Sequence, residues 1–359
     1  MKQVMTLLGP ISADQLGLTS MHEHILMDGS VFSKKYGAHI PNDPSFDRRQ
    51  PVGLNNLGLL RRNFYLVDDN NMLDDEETMT AEVADFKASG GSAMVDMSAP
   101  GLRCNLPAIR SISQKTGVHV ITTTGLYIED SWPEPFREMT VEQLTEHMLK
   151  EIEVGIADTG IKAGHIKASL IDFSARQEIV LRAAARASKN SGLSVSVHQN
   201  LTSADCLNII DIMTSEGIEP ERLIISHTDG LLVEHDVNTL VRNPEARHLK
   251  IDGPRKLLDR GVNLAIDCFG QLWDHELRNL VLETDWQRLA GVVAFVEAGY
   301  TAQIVLGTDS FLKMLTRRYG GEGYCRLTKY VLPKLKDLGL TDYAIRQLTL
   351  KNPARLLSR

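Results

Sequence analysis

The chain has 359 residues, of which 43% are hydrophobic, and its formal net charge is -7 at pH 7. This length and apolar content predict a folded protein with a large core and exclude a disordered or fibrous chain. The acidic balance argues against nucleic acid and anionic membrane surfaces as partners, because both favour a basic face. We therefore expect a small-molecule substrate.

The sequence also bears on cellular location. No apolar run approaches the roughly 20 residues that span a bilayer, and residues 1–6 lack the basic and then apolar pattern of a secretion signal. The cysteines form no CxxC pair, as is typical of reduced thiols; they are Cys104, Cys206, Cys268 and Cys325. We expect a cytoplasmic protein.

Short β-branched runs alternate with amphipathic stretches of helical period from about residue 18 onward. The predicted strands cover residues 18–27, 92–97, 118–127, 165–170, 194–198, 223–227, 263–267 and 304–308. The predicted helices include residues 78–87, 140–154, 177–189, 204–215, 289–298, 326–338 and 341–356. This alternation predicts an α/β fold, a (β/α)8 TIM barrel, as a single domain over residues 1–359 with its active site at the C-terminal ends of the strands.

One long irregular stretch, residues 28–74, interrupts the alternation and contains Pro41, Pro44 and Pro51. A loop of this length in a compact domain is typically a lid or a substrate-binding loop. The alternative is a solvated surface insertion or a subunit contact. We expect the chain to form a homodimer.

Polar side chains occupy the ends of several predicted strands. His22 and His24 share one face of the first strand, because side chains alternate along a strand and Glu23 points to the other face. The fourth, fifth, sixth and eighth strands lead to Lys167, His198, His227 and Asp309. These ends converge at one barrel mouth, where imidazole and carboxylate groups suit zinc and its first-row neighbours. The pattern predicts a two-metal site.

Short motifs near both ends of the chain carry a family resemblance. Thr6-Leu7-Leu8-Gly9-Pro10-Ile11 and Leu16-Gly17-Leu18-Thr19 lead into His22-Glu23-His24. Beyond the last strand stand Arg318-Tyr319-Gly320-Gly321-Glu322-Gly323-Tyr324 and Asn352-Pro353-Ala354-Arg355. With these strings the chain resembles the phosphotriesterase-like family of the amidohydrolase superfamily, nearly from end to end.

The resemblance implies that Lys167 is carbamylated by carbon dioxide and bridges two divalent metal ions, most simply zinc. An ammonium group cannot ligate a cation, whereas the field of two cations favours the neutral amine that adds carbon dioxide. The implied ligands are His22, His24 and Asp309 for an inner ion and His198 and His227 for an outer ion.

The expected chemistry is attack by a metal-bridging hydroxide on a carbonyl carbon or a phosphorus, with Asp309 orienting the hydroxide and removing its proton. Asp267 ends the seventh strand and either positions substrate, relays that proton or serves as a structural hydrogen-bond partner. Some relatives have a histidine or arginine after this aspartate, where this chain has Cys268, so the proton relay of the better-known phosphotriesterases is not expected here. Tyr127, ending the third strand, either lines the pocket or packs in the core.

Three substrate classes fit this metal core: lactones or carboxylic esters, N-acyl amides and organophosphate triesters. The resemblance to lactone- and ester-cleaving relatives favours the first class, with phosphotriesterase activity only as a side reaction. Arg61 and Arg62, and also Arg317, are candidates to bind an anionic group on the substrate; taken singly, each is rather expected to be a solvated surface residue.

A non-catalytic ligand-binding barrel is the alternative of another class, but such a protein would be expected to lose a metal ligand, and here every position is filled. The other histidines are expected to be ordinary core or surface residues: His39, His119, His147, His165, His235, His248 and His275.

Overall fold

The computed structural model describes residues 2–36, 46–200 and 202–359. Its centre is an eight-stranded parallel sheet in which the strands neighbour one another in chain order. They are β1 (Thr19–Glu23), β2 (Ala93–Asp96), β3 (His119–Gly125), β4 (His165–Leu170), β5 (Val195–Gln199), β6 (Leu223–Ile225), β7 (Asn263–Ile266) and β8 (Ile304–Leu306). The main-chain N–H of Asp309 donates to the carbonyl of His22 at 3.0 Å and joins the last strand to the first. The predicted (β/α)8 TIM barrel is confirmed.

Helices surround the sheet, and several begin where a polar side chain caps them. Asn105, Thr140 and Ser174 each accept a hydrogen bond from the main-chain N–H three residues later. The helices are α1 (Ser30–Tyr36), α2 (Leu57–Leu60), α3 (Glu76–Ala88), α4 (Leu106–Thr116), α5 (Glu134–Arg137), α6 (Val141–Glu153), α7 (Ala175–Ser191), α8 (Ser203–Ser215), α9 (Val237–Arg242), α10 (Asp252–Leu258), α11 (Asp285–Glu297), α12 (Leu332–Asp337), α13 (Asp342–Arg346) and α14 (Asn352–Leu357). None of the helices among the described residues combines the length and apolar character needed to cross a membrane.

Short antiparallel ribbons complete the fold. Gln3–Thr6 pairs with Gly9–Ser12, and Val4 of this hairpin packs with the C-terminal Leu356 and Leu357 against side chains of the barrel strands. A second ribbon, which we call the β7 ribbon, joins Asp274–His275 to Leu280–Val281 in the connection after β7.

Four strands end at least two residues before their predicted ends; two of them are β1, which stops at Glu23, and β3, which stops at Gly125, and the other two turn at residues of the site. β6 stops at Ile225 and β8 at Leu306, two residues short of the predicted ends. The reason lies in the backbone, because His227 and Asp309 adopt positive φ angles of 55° and 45°, a region that residues with a Cβ enter rarely. The chain therefore turns out of the sheet at two residues that the sequence assigned to the site.

The segment 28–74 is more regular than predicted. It contains α1 and α2, and Met72–Leu73 pairs with Met27–Asp28. Its apolar side chains pack with residues from the connections after β7 and β8, in a group we call the upper cluster: Val52, Leu57, Leu60, Phe64, Val67, Trp273, Leu312, Met314 and Leu315. His39, Pro41 and Pro44 lie outside the described residues.

A fully buried arginine links the connections on this side of the barrel. Arg288 in α11 forms ion pairs with Asp229 at 3.2 Å, Glu283 at 3.0 Å and Asp285 at 2.7 Å. Its guanidinium also donates to the carbonyl of Gln271. Burial and the neighbouring Glu283 raise the pKa of Asp229 to about 7. The positive charge of Arg288 opposes this rise and offsets the repulsion among the buried carboxylates.

We predict that Arg288→Met lowers the free energy of unfolding by about 3–5 kcal/mol, because removing one partner of a buried ion pair leaves uncompensated charge. Urea denaturation followed by circular dichroism measures the change. Arg186→Met is the control, since Arg186 pairs with Glu142 and Glu216 near the surface, where solvent screens the charges, and its loss should cost much less. Equal losses for the two variants would contradict the assignment.

Candidate functional site

Side chains from six of the strand ends meet at one mouth of the barrel. His22 lies in β1 with His24 just after it, Lys167 lies in β4 and His198 in β5. His227, Asp267 and Asp309 follow the ends of β6, β7 and β8. Every one of these is buried or nearly so.

The four histidine rings form a continuous row. Ring centroids are 5.6 Å apart for His24 and His22, 4.9 Å for His22 and His227, and 4.6 Å for His227 and His198. Such a row of imidazoles within one apolar barrel is the donor set that first-row divalent metals prefer.

Asp309 faces the row from β8. Its Oδ1 lies 3.2 Å from His24 Nε2 and 3.4 Å from His22 Nε2, and its Oδ2 accepts a hydrogen bond from Gln271 Nε2 at 3.1 Å. Burial alone would raise the pKa of Asp309, but the charge of His22 and the hydrogen bond from His24 bring it to about 2. The carboxylate is therefore ionised near neutral pH.

Glu23 fixes the connection that carries Asp309. Its buried carboxylate accepts hydrogen bonds from the N–H and hydroxyl of Thr308, at 3.0 and 2.7 Å, and from the N–H of Ser310 at 3.2 Å. Because Glu23 points away from the mouth, the two flanking histidines point toward it, as the alternation of a strand requires.

Asp267 lies behind two of the histidines and orients both. One carboxylate oxygen is 2.7 Å from His22 Nδ1, and the other is 3.0 Å from His227 Nδ1 and accepts the main-chain N–H of His227 at 2.9 Å. Burial would raise the pKa of Asp267, but these imidazoles hold it well below its ordinary value. An ionised carboxylate accepts hydrogen bonds from the Nδ1–H groups of both imidazoles. In this tautomer each Nε2 has a lone pair that can bind a metal.

Lys167 places an amine inside the barrel, where a charged group is costly. Its side chain is 1% exposed, and its Nζ has no hydrogen-bond partner among the described residues. Burial lowers the pKa of Lys167 to about 8 although Asp309 and Asp267 oppose that shift. Gly125 permits this position, since a Cβ there would lie 1.9 Å from the carbonyl oxygen of Lys167.

The donor set fits divalent metal ions. Ligand atoms of His22, His24 and Asp309 lie within 4.8 Å of one another, and so do those of His227, Cys268 and Asp309. The amine of Lys167 beside them, which has no hydrogen-bond partner among the described residues, fits a carbamate, because the neutral amine adds carbon dioxide and the product carries anionic oxygen donors. Cys268 Sγ is 3.4 Å from His227 Nδ1, and its burial raises the pKa of the thiol well above the ordinary value.

The site opens into a cavity of about 390 Å³. Tyr127 lies at the edge of this cavity with its hydroxyl 3.2 Å from His198 Nε2, and burial raises its pKa well above the ordinary value. The apolar walls are supplied mainly by Phe32, Tyr36, Phe64, Tyr65, Leu102, Ile128, Trp273 and Phe311.

The structure places the predicted anion-binding arginines elsewhere. Arg62 pairs with Glu276 at 3.2 Å and Arg317 pairs with Asp85. Neither these two nor Arg61 is among the described residues that line the cavity. The arginine that does line it is Arg278, which the sequence analysis did not single out.

Other contributors were also missed. Ser98 hydrogen-bonds His24 Nδ1 at 2.8 Å, and Gln271 holds Asp309. Both lie in connections with no motif of their own, and only the closure of the barrel brings them to the site. Among the histidines set aside, His235 and His275 line the cavity, although both ring nitrogens of His235 face main-chain carbonyls at 2.8 Å.

A cluster of metal-ligating side chains at the C-terminal strand ends of an α/β barrel is typical of (β/α)8-barrel hydrolases. The sequence profile of the phosphotriesterase family matches residues 2–357, and the chain belongs to that family. The resemblance seen in the sequence is thereby confirmed.

Relatives agree with this placement. The N-acetyltaurine hydrolase of Danio rerio is 28% identical over 366 residues, covering 99% of this chain and 98% of that protein. A resiniferatoxin-binding protein from Rhodobacter sphaeroides superposes with a TM-score of 0.87 at 29% identity, covering 99% of this chain and 94% of that one. A lactonase from Listeria monocytogenes shares the fold, with a TM-score of 0.77 at 22% identity and coverage of 99% and 98%.

We predict that Asp267→Asn weakens Zn²⁺ binding about 10- to 100-fold, the usual effect of losing a carboxylate that orients a histidine ligand. Competition with a chromophoric chelator measures the affinity. Cys268→Ala, at the adjacent position, should leave the affinity nearly unchanged. If Asp267→Asn binds zinc as tightly as the wild type, Asp267 does not orient the ligands.

Proposed function

We propose that the chain is a binuclear-metal-dependent hydrolase that cleaves an acyl bond at a carbonyl carbon. The observation that carries the proposal is the buried amine of Lys167, which has no hydrogen-bond partner among the described residues and lies 5.9 Å from the ring centroid of Tyr127. A buried amine without a partner is costly in any purely structural role, and a carbamate between two ions gives it one.

In this proposal His22, His24 and Asp309 would hold one ion, His198 and His227 would hold the other, and a carbamate on Lys167 would supply oxygen ligands to both. The neutral amine of Lys167 adds carbon dioxide to give a carbamate and releases one proton. Bound divalent ions, most simply zinc, would supply Lewis acidity that lowers the pKa of water and polarises the substrate carbonyl.

The protein's own groups complete the reaction. Asp309 accepts the proton of the attacking water and passes it to the leaving amine or alkoxide, while Gln271 keeps that carboxylate in place. Tyr127 retains its proton, since burial raises its pKa, and so it is available as a donor at the cavity edge. The aromatic walls exclude water around an apolar part of the substrate.

For the substrate, an N-acyl amide stands first. The Danio rerio relative, which matches over nearly its whole length, is named for hydrolysis of N-acetyltaurine. The lactone or ester predicted from the sequence remains the second candidate, because the same carbonyl chemistry serves it and the cavity wall is largely apolar.

We predict that Lys167→Ala lowers metal content and activity together, because the bridge between the two ions is lost. Elemental analysis should find close to two metals per wild-type chain and less than one in the variant, and short carboxylic acids should restore part of both. Lys162→Ala, which alters a lysine ahead of β4, is the control and should behave as wild type. A Lys167→Ala protein with full metal content and activity would overturn the proposal.

We also predict that the metal-loaded protein hydrolyses carbonyl compounds far better than phosphotriesters. The measurement compares kcat/KM for N-acetyl amino acids and N-acetyltaurine, small lactones, carboxylic esters and a paraoxon-like triester. Highest efficiency on the triester would contradict the proposal. Binding without turnover of any compound would favour the ligand-binding barrel.

A further inference from the structure

Arg278 lines the same cavity as the candidate metal ligands. It lies within the β7 ribbon, between Asp274–His275 and Leu280–Val281. Among the described lining residues it is the one arginine, and Lys167 is the one lysine. If Lys167 is carbamylated, Arg278 is the one lysine or arginine among the described lining residues that keeps its positive charge.

The guanidinium is held in position by a ring, and among the described residues no hydrogen bond occupies its N–H donors. It stacks over Tyr36 at 4.9 Å from the ring centroid, and Tyr36 stacks in turn on Tyr65 at 5.3 Å. A ring beneath a guanidinium orients it without using its N–H groups. No carboxylate among the described residues forms an ion pair with Arg278, whereas Arg62 nearby in the fold is paired with Glu276 at 3.2 Å.

Aromatic contacts lead along the cavity wall from the histidines to this arginine. Successive ring centroids are separated by 4.7, 5.9, 5.7 and 5.3 Å along the series His198, Tyr127, Phe32, Tyr65 and Tyr36. The wall between the donor cluster and the guanidinium is therefore apolar or weakly polar. A substrate that matches this wall has a carbonyl at the donor cluster, an apolar middle along the rings and an anion at the guanidinium.

We propose that Arg278 binds the anionic head group, a sulfonate or a carboxylate, of an acyl substrate whose carbonyl reaches the donor cluster. The assignment rests on the proposed function and narrows its substrate class. The nearby imidazoles do not compete for this role. His275 is neutral near pH 7, because burial and the charge of Arg278 lower its pKa to about 4, and both ring nitrogens of His235 face carbonyl oxygens.

The kinetic test compares substrates that differ only in charge: N-acetyltaurine, N-acetyl-β-alanine and the neutral N-[2-(methylsulfonyl)ethyl]acetamide. Arg278→Met should lower kcat/KM for the anionic compounds about tenfold, mainly through KM, since a remote ion pair contributes to substrate binding. The neutral compound should be cleaved almost as well as by the wild type. The ratio of the two anions shows which head group fits better.

Arg278→Lys should keep part of the preference for anions, because charge remains while the planar fork is lost. Arg62→Met is the matched control, an exposed arginine outside the cavity, and should not alter the preference. Equal losses on charged and neutral substrates in Arg278→Met would overturn the assignment.

A binding measurement separates this inference from the proposed hydrolysis. 4-Oxopentane-1-sulfonate replaces the amide nitrogen of N-acetyltaurine by carbon and cannot be hydrolysed, and 5-(methylsulfonyl)pentan-2-one is its neutral counterpart. Calorimetry at fixed ionic strength should give the wild type about tenfold tighter binding of the sulfonate, with that preference lost in Arg278→Met. The preference without any turnover of the acetamides would uphold Arg278 and refute N-acyl amide hydrolysis, whereas turnover without the preference would refute Arg278 alone.

Discussion

The site depends on one buried carboxylate, that of Asp267. It reaches from the end of β7 to His22 on β1 and to both the ring and the main chain of His227 after β6. A single side chain thus sets the tautomer of two imidazoles and the geometry of two strand ends. Because Asp267 is fully buried, its charge is stabilised by these hydrogen bonds and by the nearby amine of Lys167, and the two histidines are oriented by it in return. This mutual dependence makes the arrangement rigid before any ligand binds.

Strain in the backbone accompanies this arrangement. His227 and Asp309 both adopt positive φ angles, which costs roughly 1–3 kcal/mol at each residue. The hydrogen bonds of Asp267 to His227 and of Glu23 to the residues flanking Asp309 offset that cost. The barrel therefore holds two polar side chains in directions that a relaxed strand end would not give them.

The barrel and the residues at its strand ends could be predicted from the sequence, because short β-branched runs that alternate with helical stretches are local signals. The polar residues that end those runs are equally local. His22, Lys167 and Asp309 were found in this way, and the structure gathers them at one mouth. For Asp267 the sequence left several roles open. Its pairing with two histidines could not be predicted, because it joins residues far apart in the chain.

Features set by the connections were beyond sequence reasoning for the same reason. The segment 28–74 looked irregular, since α1 and α2 are too short to show a period and their apolar side chains pack only against distant residues. The basic pairs in that segment suggested anion binding, but Arg62 is paired with Glu276. Arg278, by contrast, has no motif around it and acquires its place only when the β7 ribbon folds beside Tyr36.

The upper cluster has a consequence for how such a barrel diversifies. Phe64 and Trp273, which line the cavity, also pack together with Leu312 although they come from three separate segments of the chain. Exchanging one segment with that of a relative would leave apolar surface of the other two without a partner. A change of specificity in this scaffold should therefore need matched substitutions in all three segments, although these segments lie far apart in the chain.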